Sequence, residues 1–213
     1  MWHIELVKKN YNSSQALYNL LQFVFRLDKT ADDSKRANII TDDLTGCMPA
    51  MIPDVNDPER VFQLMLFTIQ RRKKDSSELV RHRIISFQAS DYILPQDLIP
   101  LAQSIAASYA AKGFITAYGI HADTYCVHIH FVICTISFIT LNKLYSGYTV
   151  ELEELERLTQ NWNFQFNKML QNDPEMKQRR EAILYGDDIM QYGSIPLTTN
   201  GQISQNRKYK AGK

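Results

Sequence analysis

No run of apolar residues in this chain approaches the roughly 20 that a bilayer-spanning helix needs, so a transmembrane helix is not expected. The N-terminus has no secretory pattern. Cysteine is scarce: Cys47, Cys126 and Cys134 are odd in number and form no Cys-x-x-Cys pair. Both absences predict a protein of the reducing cytoplasm rather than a disulfide scaffold. Charge of one sign is not in excess either. With 24 Lys and Arg against 23 Asp and Glu the net charge is +1, and overall charge does not argue for a nucleic-acid partner. Internal repeats and low-complexity tracts are missing. What remains is 213 residues, 45% of them hydrophobic, enough to bury one good core.

Histidine is also rare, and its distribution is uneven. Three of the five fall in the stretch Gly119-Ile120-His121-Ala122-Asp123-Thr124-Tyr125-Cys126-Val127-His128-Ile129-His130-Phe131-Val132-Ile133-Cys134. Strand alternation puts His128, His130, Val132 and Cys134 on one face, with Ile129, Phe131 and Ile133 on the other. Phe114–Ile120 reads as a second strand, rich in β-branched and aromatic residues. A hairpin with its loop centred on Asp123 and Thr124 would set His121 opposite His128, with Cβ atoms roughly 5 Å apart and His130 on the diagonal. Three imidazoles would then converge as a facial metal site with open positions. Ala117 and Gly119, small and on the same face, would leave room above them. A slip of one residue would turn His121 away from the other two. A lone strand histidine is ordinarily a surface or hydrogen-bonded core residue. The reading rests on three meeting.

His-x-Asp followed by His-x-His on the next strand resembles the metal-binding motif of the HUH endonucleases, and most of all the conjugative relaxases, or mobilisation nucleases. Cys126 stands where the family often has a further histidine, and Cys134 where an asparagine is common. A second segment carries the resemblance. Relaxases of this kind place a tyrosine near the N-terminus, then a short aliphatic stretch and Asp/Glu-Lys-Thr. Phe23-Val24-Phe25-Arg26-Leu27-Asp28-Lys29-Thr30 matches except at its first residue. Phe23 stands at the position of the nucleophile, and a benzyl ring has no oxygen with which to attack a phosphate. Three explanations are open: a nucleophile knockout of an active enzyme, a natural DNA-binding relative, or a shifted alignment with Tyr18 or Tyr11 as nucleophile. Tyr18 lies five residues before Phe23, about 140° round a helix, so the two cannot serve one site interchangeably. Ordinary core packing is the competing role for Phe23. A third segment, Arg81-His82-Arg83-Ile84-Ile85-Ser86-Phe87, resembles the family's His-x-x-x-Ser-Phe. In it His82 and Ser86 either position a scissile phosphate or are plain polar strand residues.

The rest of the chain reads as follows. Residues 2–7 form a first strand. A helix over about 15–27, capped by Asn12, Ser13 or Ser14, turns Ala16, Leu20, Phe23 and Leu27 inward. Residues 31–57 read as a long polar loop. Asp57 caps and Pro58 opens a helix to about 73, with Val61, Met65 and Ile69 inside. Pro95 starts a helix to about Lys112, ended by Gly113. Residues 142–148 are a turn-rich link, 150–171 a charged helix carrying Leu152, Leu155, Leu158, Trp162 and Phe166, and 174–184 a shorter basic helix. The tail from Gly186 is polar and expected to be flexible unless DNA orders it.

This succession predicts an α+β fold, an antiparallel sheet covered by helices, which the resemblance (over roughly residues 2–170) renders as the palm-like sheet of HUH endonucleases. Residues 1–172 are expected to be the nuclease domain and 173–213 a basic helical extension and tail. The resemblance implies nicking of one strand at a plasmid or transposon transfer origin through a tyrosine, leaving a 5′-phosphotyrosine and a free 3′-hydroxyl. It implies a divalent ion (Mn, Mg, Zn, Co or Ni) on His121, His128 and His130, with Asp123 either orienting His121 or serving as a turn residue. Single-stranded or hairpin origin DNA would be the partner, together with other mobilisation proteins. Candidate DNA contacts are Arg26, Lys29, Arg71, Arg72, Lys73, His82, Arg83, Ser86, Arg179, Arg180 and Lys208. The basic clusters among them are more often solvated faces. A related replication initiator, a non-catalytic DNA-binding module and a metal hydrolase of small molecules are the alternatives.

Overall fold

The computed structural model describes residues 1–25, 44–74, 78–88, 91–122 and 126–185. Five strands are described: β1 (Trp2–Leu6), β2 (Thr45–Met48), β3 (Val80–Phe87), β4 (Thr116–His121) and β5 (Val127–Cys134). They make one sheet in the order β1-β3-β5-β4-β2, with every neighbouring pair antiparallel. The α+β fold with an antiparallel sheet under helices is therefore as the sequence predicts.

Alternation along the central strands produces two cores. On one face Ile85, Phe87, Ile129, Phe131 and Ile133 pack beneath α3 (Ile99–Ala111), which continues a short 3-10 turn from Pro95, and beneath α4 (Tyr148–Asn172). On the other, Ala117, Val132 and Cys134 meet α1 (Ser14–Val24) and α2 (Pro58–Gln70). Ser13 caps α1 by accepting from the Ala16 N–H at 3.1 Å, and Asp57 caps α2 by accepting from Glu59 at 2.9 Å. Gly113, at φ 89, ends α3 in the left-handed region that a glycine occupies without strain. A final helix, α5 (Pro174–Tyr185), docks by Arg180, whose guanidinium grips the Asp97 carboxylate and lies over the Phe166 ring at 5.3 Å.

Two expectations need correction. Residues 45–48 lie in the stretch read as loop, yet they form the edge strand β2, paired with β4 from Thr45↔Gly119 to Met48↔Thr116. Four residues are too short for alternation to register in the sequence, and Gly46 weakens the propensity further. The second concerns α1. It buries Leu17, Leu20, Leu21 and Val24, while Ala16 and Phe23 are only half-buried. Both stripes have helical spacing; the one that fills the sheet surface with larger side chains prevails, and Phe23 is left at its flank.

Candidate metal centre

The hairpin β4–β5 has the register that brings the histidines together: His121↔His128, Gly119↔His130 and Ala117↔Val132. His121 and His130 are buried and His128 half-buried. One ligand-capable atom from each lies within 4.8 Å of the others, which fits a single cation. Among the described residues the donor set is three imidazoles, which suits borderline transition metals.

Each ring is held from behind. Nε2 of His121 donates to the Val24 carbonyl at 2.9 Å and Nδ1 of His128 to the Cys126 carbonyl at 2.9 Å. A carbonyl oxygen only accepts, so these nitrogens carry the protons, and Nδ1 of His121 and Nε2 of His128 bear the lone pairs that ligation requires. His130 Nδ1 is 2.9 Å from Nε2 of His82, whose Nδ1 is 3.1 Å from the Tyr11 hydroxyl. The His82 and His130 rings are stacked, with centroids 5.1 Å apart. Burial above all, then the Arg83 and Lys9 charges, pushes His82 down to about 4. As a neutral imidazole it can accept from His130 and donate to Tyr11. This corrects its expected place beside a phosphate: His82 is buried behind His130.

Phe23 lies against the same cluster. Its ring meets His121 and His130 edge-on, at centroid separations of 5.6 and 5.2 Å. Tyr18 packs on Phe62 of α2 at 5.3 Å, and Tyr11 is buried behind His82. The room expected above Ala117 and Gly119 is taken by the end of α1. A Cβ on Gly119 would stand 2.1 Å from the Val24 carbonyl oxygen.

Of the expected DNA contacts, Ser86 is half-buried and pairs in register with His128. Arg83 must be reassigned: it points to the other face, where Nε and Nη2 each donate to buried Glu151 at 2.9 Å. Arg71 is exposed over Phe67, and Arg72 donates to the Ile69 carbonyl. The Lys73 backbone N–H bonds Leu141, in the link after β5. That end of the sheet is about 20 Å from His128, six residues along β5. The structure does not bring this cluster to the histidines. Arg180 is spent on Asp97, and Arg179 is exposed on α5 beside Asp173. Asp123, Arg26, Lys29 and Lys208 lie outside the described residues. Sequence reasoning missed the roles of Tyr11, Val24 and the Cys126 carbonyl, because backbone acceptors and partners distant in the chain leave no spacing signal.

A family model described as "Relaxase: MobA/VirD2-like, nuclease domain" matches residues 35–167, more than half of the chain. The chain belongs to the relaxase family. The matched span includes all three histidines of the centre and His82, while Phe23 precedes it. No curated protein and no solved structure matches. Relaxase nuclease domains nick origin DNA and depend in general on a metal, and this chain retains a histidine trio able to hold one. Among the described residues no helix is long and apolar enough to cross a membrane.

Proposed function

We propose that this relaxase domain grips single-stranded or hairpin DNA at a transfer origin and presents one phosphodiester to a divalent cation held by His121, His128 and His130. The observation that carries the reading is the contact of residue 23 with two rings of the trio, 5.2 and 5.6 Å away. It supports position 23 as the seat of the family's nucleophile. When bound, the ion would supply Lewis-acid stabilisation of charge on the scissile phosphate. The chain's own part is orientation. Val24, Cys126 and His82 hold the outer ring nitrogens, and Ser86 is paired with His128 on the neighbouring strand.

A tyrosine at 23 would form the Oη–P bond as the P–O3′ bond breaks, the hydroxyl proton passing to the departing 3′-oxygen. Phenylalanine cannot take that step, so the chain with Phe23 is read as a relaxase that binds the origin without forming the adduct. The nuclease unit is taken as residues 1–172, with 173–213 as an extension.

A denaturing-gel assay for covalent protein–DNA adducts, on single-stranded origin candidates with Mn²⁺, tests this. Phe23→Tyr is expected to form an adduct and the parent chain none. An adduct with the parent would move the nucleophile to another tyrosine. No adduct from either, on DNA that both bind, would favour a non-catalytic DNA-binding module, whose affinity should still fall steeply with salt.

A further inference from the structure

The end of α1 and the histidine cluster touch through backbone as well as side chains. We propose that the Val24 carbonyl and Gly119 are positioning elements for residue 23. A divalent cation on the trio orders the last turn of α1 and so fixes residue 23 over the centre, and loosening that turn weakens the cation in equal measure. The inference rests on the reading of His121, His128 and His130 as metal ligands.

Three observations carry it. The last carbonyls of a helix have no partner within the helix, and here the one at Val24 accepts from His121 Nε2 at 2.9 Å. That bond both satisfies the carbonyl and sets the tautomer of a ligand. Second, the contact depends on glycine for close approach. An added Cβ on Gly119 would meet the Val24 oxygen at 2.1 Å, its Cγ1 at 3.0 Å and its carbonyl carbon at 3.1 Å. Two of these are backbone atoms, so no rotamer change relieves the clash and the helix end must move. Third, Phe23 immediately precedes this carbonyl and rests on His121 and His130. A shift of the turn would carry its ring off the centre. The C-terminal end of a helix also bears partial negative charge, which favours a cation beside it.

Loss of the group that holds a ligand's outer nitrogen typically costs about 10–100-fold in metal affinity. Coupling between two equilibria is reciprocal. If opening the turn costs the cation tenfold, saturating cation must suppress that opening about tenfold. The Phe25 amide reports it, because it donates to the Leu21 carbonyl at 2.9 Å and closes the turn.

The test uses Co²⁺ on the chain as it stands. Amide hydrogen exchange at Phe25 is expected to slow about tenfold at saturating Co²⁺, while exchange at Leu144, bonded to Thr135 beyond the far end of β5, is unchanged. In Gly119→Ala the Co²⁺ dissociation constant, read from its visible absorption, is expected to rise at least about tenfold, with the cation-dependent slowing at Phe25 lost. A purely structural glycine would lower stability without a cation-dependent difference at Phe25. The proposal is overturned if Co²⁺ binds while Phe25 exchange stays the same, or if Gly119→Ala binds Co²⁺ as tightly as the parent. Should the alanine variant not fold, the parent's exchange decides alone. A parent that binds no Co²⁺ at all removes the metal reading and this inference together.

Discussion

His82 shows how much a single buried side chain can determine. It is nearly dry, stays neutral, and touches His130 on one ring edge and Tyr11 on the other. Its replacement by leucine removes the acceptor behind His130, so on the proposed reading of the trio as metal ligands Co²⁺ affinity should fall about 10–100-fold. Glutamine, whose Oε1 can occupy the place of Nε2, should retain most of it. Equal losses in both variants would mean that His82 matters only as volume. The three cysteines offer a second test. Burial pushes Cys47 and Cys134 up to about 12, whereas Cys126 is only half-buried and is raised more modestly, by burial and then by Asp91. Native-state alkylation at neutral pH should label Cys126 first and leave the other two until unfolding. At this scale the sequence was informative about the trio, because His-x-His and a hairpin suffice to gather it. It was silent on Tyr11, 71 residues from its partner His82.

Among elements, α1 is the instructive one. Its existence and its cap are readable in the chain, but not which of two apolar stripes faces the sheet. Leu20 belongs to both; Leu17, Leu21 and Val24 decide for one. Leu17→Ala or Leu21→Ala should each cost about 2–5 kcal/mol in urea unfolding, and Ala16→Ser no more than about 0.5 kcal/mol. The reverse pattern would restore the stripe through Ala16 and Phe23. The strand β2 was hidden for a different reason. A four-residue edge strand takes its identity from the neighbour it pairs with, here β4, and not from its own pattern. By contrast α2 was legible throughout, since Asp57, Pro58, Val61, Met65 and Ile69 combine start signal and stripe.

At the scale of the whole molecule, Glu151 joins three elements. From the first turn of α4 its buried carboxylate accepts from Arg83 and Arg81 of β3 and from Tyr109 of α3, each at 2.9 Å. Burial alone would raise its pKa, but the hydrogen bonds and charge of Arg83, then the charge of Arg81, outweigh burial and hold it below the usual carboxylate range. A carboxyl depressed in the folded state contributes stability above its unfolded pKa, and that stability is lost as pH falls through the folded value. Glu151→Leu strands a buried guanidinium and should cost about 3–5 kcal/mol near neutral pH. It should also flatten the acid limb of stability below the unfolded carboxylate pKa, where the depressed Glu151 carboxyl takes up its proton. A variant with an unchanged acid limb would assign the acid sensitivity to other carboxylates.

The strand order has a kinetic consequence. Among the described strands only β4 and β5 are both consecutive in the chain and adjacent in the sheet; Trp2 must find Phe87, and Thr45 must find Gly119. Such distant pairings defer their reward until long loops have closed, which slows folding, whereas a short hairpin can form within about 1–10 μs. The segment bearing the three histidines of the centre is therefore expected to be the earliest part of the sheet to become native, with the edges assembling upon it. Destabilising substitutions in that hairpin, such as Ile129→Val, should slow refolding, while those in β1, such as Leu6→Ala, should chiefly hasten unfolding.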